Sequence, residues 1–232
     1  KVEAELRPYQ KDGVRWLLYM KENNLGACLA DDMGLGKTLQ AITLLADSYP
    51  AEQKPSIIIM PRSLLFNWDA EVKRFAPQLT TYTFYGNQRD WEEASKAHLI
   101  FITYGLLRND IETFMEKEFH YVILDESQQI KNLNSQTHKA VNLVKGEHRL
   151  ALSGTPIENN LSELYALFHF LNPAMFGQWS QFNSQYLTPI QKNGEEQAAK
   201  DLRTKIYPFI LRRLKRDVLK DLPPKIEQVL YV

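Results

Sequence analysis

Short apolar runs alternate with helical patterns through the first 156 residues, and few architectures accept that alternation. "GACLA" (26–30), "SIIIM" (56–60), "TTYTFY" (80–85), "HLIFIT" (98–103), "YVILD" (121–125) and "HRLALS" (148–153) read as strands. Between them lie helical patterns: "KTLQAITLLA", "LLFNWDAEVKRF", and stretches around 89–97, 105–117 and 135–144. Ser63 is placed to cap the second of these, and Pro77 to end it. Strand–helix alternation predicts a parallel sheet with helices on both faces, and the β-branched run in "SIIIM" suits a strand buried on both sides. The expected fold class is therefore α/β, a three-layer fold around a mostly parallel sheet.

The pattern changes after residue 156. "NLSELYALFHFL", "WSQFNSQYL" and "EEQAAKDLRTKIYPFILRRLKRDVL" read as helical, with "PIQKNGEE" as a polar break. The expected organisation is an α/β lobe over 1–156, with Pro156 placed to open a helix. A helical appendage follows over 157–222, and residues 223–232 form an extended segment after Pro223-Pro224. An opening helix begins at Pro8, with Val14, Leu17 and Leu18 on one face.

The 232 residues carry 28 Lys plus Arg and 28 Asp plus Glu, so no whole-molecule basic field exists and any nucleic-acid contact must be local. No apolar stretch approaches the ~18 residues of a membrane span, and no secretory leader opens the chain. The first residue is Lys, so the native start is expected upstream. The single cysteine, Cys28, excludes a disulfide framework and a cysteine zinc site, and it reads as a small buried hydrophobe in a reducing interior. His98, His120, His138, His148 and His169 show no metal spacing, and surface or core roles are expected for them. Trp16, Phe66 and Trp68 are expected to pack in the core.

Three motifs carry chemistry. "DDMGLGKT" (31–38) joins a strand to a helix, where Gly-containing turns and a helix N-terminus bring backbone N–H groups to a phosphate. Lys37 would reach the β- and γ-phosphates and the Thr38 hydroxyl would hold Mg²⁺. The strict pattern asks for Gly where Asp31 stands. In "YVILDESQQIKN", Asp125 ends an apolar strand where a second Mg²⁺ anchor belongs, and Glu126 could orient or deprotonate a water. Alone, the pair could equally be the acidic start of a helix. In "LALSGTPIENN", Ser153, Gly154 and Thr155 reach the sheet edge where ligands bind, or form an ordinary strand-to-helix turn.

Taken in order, "RPYQKDGVRWL", "LADDMGLGKT", "IIMPRSLLFNW", "ITYGLL", "ILDESQQIKN", "LALSGTPIENNLSELYALFHFLNP" and "FILRRLKRDVLKDLPPK" resemble the SWI/SNF-type ATPases of helicase superfamily two, DNA translocases and chromatin-remodelling motors. The likeness covers nearly the whole chain and is to the first of two RecA-like lobes. It implies ATP and Mg²⁺ as cofactors, with double-stranded DNA and a second RecA-like lobe as partners. It also implies an intracellular setting, nucleoid-associated or nuclear.

By the same resemblance Arg7 and Gln10 contact adenine. Asp32, Met33, Gly34, Leu35, Gly36, Lys37 and Thr38 bind the phosphates, and an acidic residue at Asp31 is a family trait. Lys37, Asp125 and Glu126 are catalytic, with Thr38 and Asp125 on the metal. Pro61, Arg62, Ser63, Thr103 and Tyr104 touch the DNA backbone, and Gln128, Ser153, Gly154 and Thr155 couple ATP state to DNA grip. Ser127-Gln128 departs from the family's usual Ala-His, which puts an amide where an imidazole is common. The basic cluster within 203–220, including Arg212, Arg213, Lys215 and Arg216, reads either as a solvated helix face or as a brace between lobes. Two other functions stay open on the residues alone: a P-loop kinase for a small metabolite, and a non-catalytic interaction module. The arginine finger would belong to the second lobe, so weak nucleotide binding and very slow turnover are expected of residues 1–232 alone.

Overall fold

The computed structural model describes residues 1–155 and 160–218. The expected helix start at Pro156, the end of the appendage, Pro223-Pro224 and the extended "KIEQVLYV" lie outside the described residues.

The strands are β1 (Ala27–Leu29), β2 (Ser56–Met60), β3 (Thr81–Thr83), β4 (Leu99–Thr103), β5 (Glu118–Leu124), β6 (Lys145–Leu152) and β7 (Ile210–Leu211). They form one sheet in the order β3-β4-β2-β5-β6-β1-β7, and every neighbouring pair is parallel. The helices are α1 (Pro8–Glu22), α2 (Lys37–Ser48), α3 (Leu65–Phe75), α4 (Trp91–Ala94), α5 (Tyr104–Asn109), α6 (Ile111–Phe114), α7 (Gln136–Leu143), α8 (Leu161–Leu171), α9 (Trp179–Phe182), α10 (Glu196–Ile206) and α11 (Lys215–Val218). Among the described residues, no helix is long and apolar enough to cross a membrane.

Period-two alternation divides the core. Ile58 and Met60 face α1, α2 and α3, packing with Leu17, Leu44, Trp68 and Val72. Ile57 and Ile59 face the other way, among Leu107, Phe114, Val141 and Phe170. Both layers are needed because a parallel sheet leaves neither face to water. A third cluster, Tyr165, Phe168, Phe176, Phe182 and Leu202, holds the helical appendage together.

The six expected strands are present, β1 and β3 in shortened form. The helix expected over 105–117 is divided at Asp110 into α5 and α6, and that over 89–97 contracts to α4. Ser63 does not cap α3. Residues Arg62–Leu64 form a 3₁₀ turn, and the cap position falls on Leu64, without a side-chain hydrogen bond. The stretch from Asn183 to Lys192, read as a helix followed by a break, is a single wide-turn π-helix that accommodates Pro189.

The largest difference is β7. A helix was expected through residue 219, but α10 ends at Ile206, and Ile210 and Leu211 pair with Cys28 and Leu29. Pro208 has no N–H to donate into the α10 ladder, and Tyr207–Phe209 form a single 3₁₀ turn instead. The free edge of β1 offers partners instead, with Ala30 N donating to Leu211 O at 2.7 Å.

Candidate active site

All strands being parallel, the turns after β1, β2, β4, β5 and β6 emerge on one edge of the sheet. That is why motifs far apart in sequence meet. The turn after β1 carries the phosphate loop. Gly34 and Gly36 have φ of 87° and 86°, a left-handed geometry that glycine adopts without a Cβ clash. Gly36 then precedes α2, whose first residue is Lys37. The Lys37 ammonium donates to Asp31 O at 2.8 Å. Burial lowers its pKa, opposed by the charges of Asp31, Asp125, Glu126 and Asp32.

Asp125 follows β5 and is 7% exposed. Its Oδ2 accepts the Trp68 indole N–H at 2.8 Å and its Oδ1 accepts the Glu126 N–H at 2.7 Å. The Tyr104 hydroxyl donates to Asp125 O at 2.6 Å. Burial raises the Asp125 pKa, and the Trp68 and Glu126 donors pull it back. Glu71, on α3, is also raised, first by burial and then by the charge of Asp125. Glu126 is held at φ 49°, outside the usual range for a side-chain-bearing residue. Its Oε2 accepts the Gln128 amide at 2.5 Å, and Ser153 Oγ lies 3.3 Å from Gln128 Oε1. Gln128 thus bridges Glu126 to Ser153 with the two ends of one amide. Gly154 passes over the lysine: a Cβ there would lie 3.6 Å from Lys37 Nζ, an ordinary contact.

Gln10 is buried against the loop, donating to Leu35 O at 3.1 Å while its Oε1 accepts the Arg7 N–H at 2.9 Å. Its amide braces the phosphate loop, and the Tyr9 hydroxyl is a second donor to Leu35 O at 2.9 Å. Of the residues expected on DNA, Arg62 and Ser63 are exposed and Pro61 is half-buried. Thr103 Oγ1 caps α5, accepting Leu106 N at 3.1 Å. Tyr104 is placed otherwise. It is 6% exposed with its hydroxyl turned inward to Asp125, so it supports the acidic pair from within. Phe66, expected in the core, is 79% exposed because its helix turns Leu65, Trp68 and Val72 inward. Trp68 is fully buried, Trp16 packs against the same core, and Cys28 is buried with its thiol pKa pushed up to about 12.

The basic cluster is not a helix face at Arg212 and Arg213. Asp31 is fully buried, and its carboxylate accepts the Arg213 guanidinium at 2.9 Å and 2.5 Å. Arg212 pairs with Asp32 at 2.9 Å. Sequence reasoning placed Asp31 as a loop variant and did not connect it to these arginines. Tyr9 and Gln40 carried no expected role, and Trp68 was expected in the core without its hydrogen bond to Asp125.

At the opposite edge, His120, Glu147 and His148 bring ligand-type atoms within 4.8 Å of one another, a grouping hidden by their spacing in the chain. Lys54 already pairs with Glu147 at 2.9 Å, and His120 reaches Ser48 Oγ at 2.9 Å and Glu147 at 3.2 Å, so His120 and Glu147 are held in a hydrogen-bonded network, while His148 Nδ1 makes no hydrogen bond among the described residues.

The donor set fits a magnesium nucleotide. Left-handed glycines open the loop, Lys37 faces it, and Asp125 carries a buried carboxylate whose desolvation a divalent cation would offset. A phosphate loop and a strand-terminal acidic pair on one edge of a parallel sheet define a P-loop nucleotide-binding domain of the α/β class. The SNF2-related domain profile matches residues 9–232, and the chain belongs to that family.

Relatives include an uncharacterized ATP-dependent helicase of Mycoplasma genitalium, 44% identical over 98% of this chain and 22% of that protein. The putative ATP-dependent helicase/translocase YwqA of Bacillus subtilis is 41% identical over 99% of this chain and 26% of its own length. The chain therefore spans about a quarter of these relatives or less. Among solved structures, the Sulfolobus solfataricus SWI2/SNF2 ATPase core in complex with dsDNA superposes with a TM-score of 0.88 at 41% identity. The match covers 96% of this chain and 47% of that one. The seven-stranded parallel sheet with flanking helices is thus the SWI2/SNF2 RecA-like core.

Proposed function

We propose that the chain is the ATP-binding first lobe of a motor that hydrolyses ATP to move along double-stranded DNA and remodel protein–DNA complexes. The observation that carries this reading is the convergence of Lys37, Asp125, Glu126, Gln128 and Ser153 at one sheet edge. Named ATP-dependent helicases among the relatives, and a neighbour solved with duplex DNA, support it.

The roles follow from the contacts. Lys37 exchanges its loop carbonyl for phosphate oxygens and stabilises charge developing on them. Thr38 and Asp125 would hold Mg²⁺, which when bound neutralises phosphate charge. Trp68 and Tyr104 fix Asp125 for that role. Glu126 accepts a hydrogen bond from the attacking water, and Gln128 fixes the orientation of its carboxylate. Through the same amide Ser153 is linked to Glu126, which gives the nucleotide a mechanical route to the strand-end hydroxyls. The exposed Arg62 and Ser63 would meet DNA phosphates without reading bases. In this reading a second RecA-like lobe supplies the arginine finger, whose contribution is about 10³–10⁵ in rate.

The test uses the full-length protein with and without duplex DNA. Duplex DNA is expected to stimulate ATP hydrolysis, and Lys37→Ala to abolish it. Glu126→Gln should keep nucleotide binding while turnover falls by about 10²–10⁴. Hydrolysis indifferent to duplex DNA would overturn the translocase reading.

A further inference from the structure

The segment after β7 is knitted to the phosphate loop more densely than its position 182 residues downstream suggests. Ala30 N donates to Leu211 O at 2.7 Å and Asp32 N to Arg213 O at 3.0 Å. In the other direction, Arg213 N donates to Asp31 Oδ1 at 2.9 Å and Lys215 N to Asp32 Oδ2 at 2.8 Å. Arg212 spans both elements, reaching Ala30 O at 2.8 Å and Asp32 Oδ1 at 2.9 Å.

Arg213 is the centre of this junction. Its guanidinium contacts the fully buried Asp31, the Gln40 side chain of α2 at 2.8 Å, and Tyr9 O of α1. Gln40 is itself fully buried and donates to Gly36 O at 3.1 Å. Gly13 leaves room for the arrangement: a Cβ there would stand 1.9 Å from Gln40 Oε1 and 2.6 Å from an Arg213 nitrogen. Three separate parts of the chain, α1, the phosphate loop and α2, therefore meet on one guanidinium. Lys215 closes the junction from outside, its ammonium 3.6 Å from where a Cβ on Gly34 would stand.

We propose that Arg213, assisted by Arg212, is a positioning residue for nucleotide binding: it sets the phosphate loop through Asp31 and ties nucleotide occupancy to the chain segment 211–215. This rests on the P-loop reading above. An always-charged planar fork suits the task, since it satisfies both oxygens of a buried carboxylate while reaching α1 and α2. Because coupling is reciprocal, a nucleotide that orders the loop orders the segment, and displacement of the segment loosens the nucleotide.

The experiment measures binding of a fluorescent ADP with Mg²⁺ to the full-length protein, with hydrogen exchange of the peptide spanning 208–216. Saturating nucleotide is expected to slow exchange in that peptide at least tenfold and leave the β3–β4 region unchanged. Arg213→Lys keeps the charge but loses the fork, and is expected to weaken binding at least tenfold. Asp31→Asn should do likewise, with the double variant no worse than the weaker-binding single.

Exchange in 208–216 that ignores bound nucleotide overturns the proposal, and so does wild-type affinity in a folded Arg213→Lys. The exchange measurement needs no variant, so it decides the matter if Arg213→Lys fails to fold. Lys37→Ala separates the two levels. Nucleotide binding that does not depend on Lys37 sinks the P-loop reading itself, whereas Lys37-dependent binding with a neutral Arg213→Lys removes only the tie.

Discussion

Replacing Trp68 by Phe isolates what holds the acidic pair in place. The indole is fully buried and its N–H donates to Asp125 Oδ2 at 2.8 Å, with Phe101 packed beside it at 6.0 Å between ring centroids. A hydrogen bond to a charged group contributes about 1.5–3 kcal/mol. The smaller ring leaves a void that costs about 1 kcal/mol more. Together the expected destabilisation at pH 7 is about 2.5–4 kcal/mol.

The two contributions separate by pH. Burial raises the Asp125 pKa and the indole lowers it, so removing the indole raises it further. A raised carboxylate pKa means stability present at low pH and lost as pH rises through the folded value. The variant's deficit is therefore largest with Asp125 ionised, and shrinks as acid protonates it, towards the ~0.5–1.5 kcal/mol of a neutral hydrogen bond plus the void. Urea unfolding of both proteins at neutral and acid pH measures this. The same variant should need more Mg²⁺ for nucleotide binding. A deficit independent of pH would refute the electrostatic argument and leave packing alone. A deficit under 1 kcal/mol at pH 7 would refute both.

Gly26→Ala should lower the melting temperature by about 6–12 °C. A Cβ there would stand 2.2 Å from Leu171 O, a backbone atom that cannot turn aside, and overpacking of this kind costs up to about 3 kcal/mol at about 2–4 °C per kcal/mol; an unchanged melting curve would show that α8 shifts freely. Acid should destabilise the native protein on its own account. Burial lowers the pKa of His98, His138, His148 and His169 below 6.5, so the unfolded chain binds their protons first and stability falls as pH drops through that value; a melting temperature flat between pH 7.5 and 5.5 would contradict this.

The legible parts of the molecule are those written in local pattern. β2 declares itself by "SIIIM", and the phosphate loop by two glycines before Lys37 whose left-handed geometry other residues adopt at a cost. The parallel order of strands then brings Asp125 and Ser153 to the same edge. What escaped notice depends on partners distant in sequence. β7 is two residues long and sits within a helical pattern; only the free edge of β1 makes it a strand. Asp31 looks like a substituted glycine until Arg213 arrives to neutralise it. Tyr104 belongs to a stretch resembling a DNA contact, yet the start of α5 turns its ring beneath Asp125. Phe66 and Trp68 are two residues apart, and helical geometry sends one to solvent and the other to the core. The amide at Gln128 became interpretable once both its ends were located.

The lateness of β7 also governs the order in which the newborn chain matures. Asp31 emerges from the ribosome 182 residues before Arg213, a delay of about 9–36 s at ~5–20 residues per second. Both edges of β1 stay open until residue 152 is made and one stays open until residue 211, and throughout the buried carboxylate lacks its counter-ion. On the proposed role of Arg213, nucleotide is expected to stabilise the fully synthesised domain and to give little help to a nascent chain still short of residue 213.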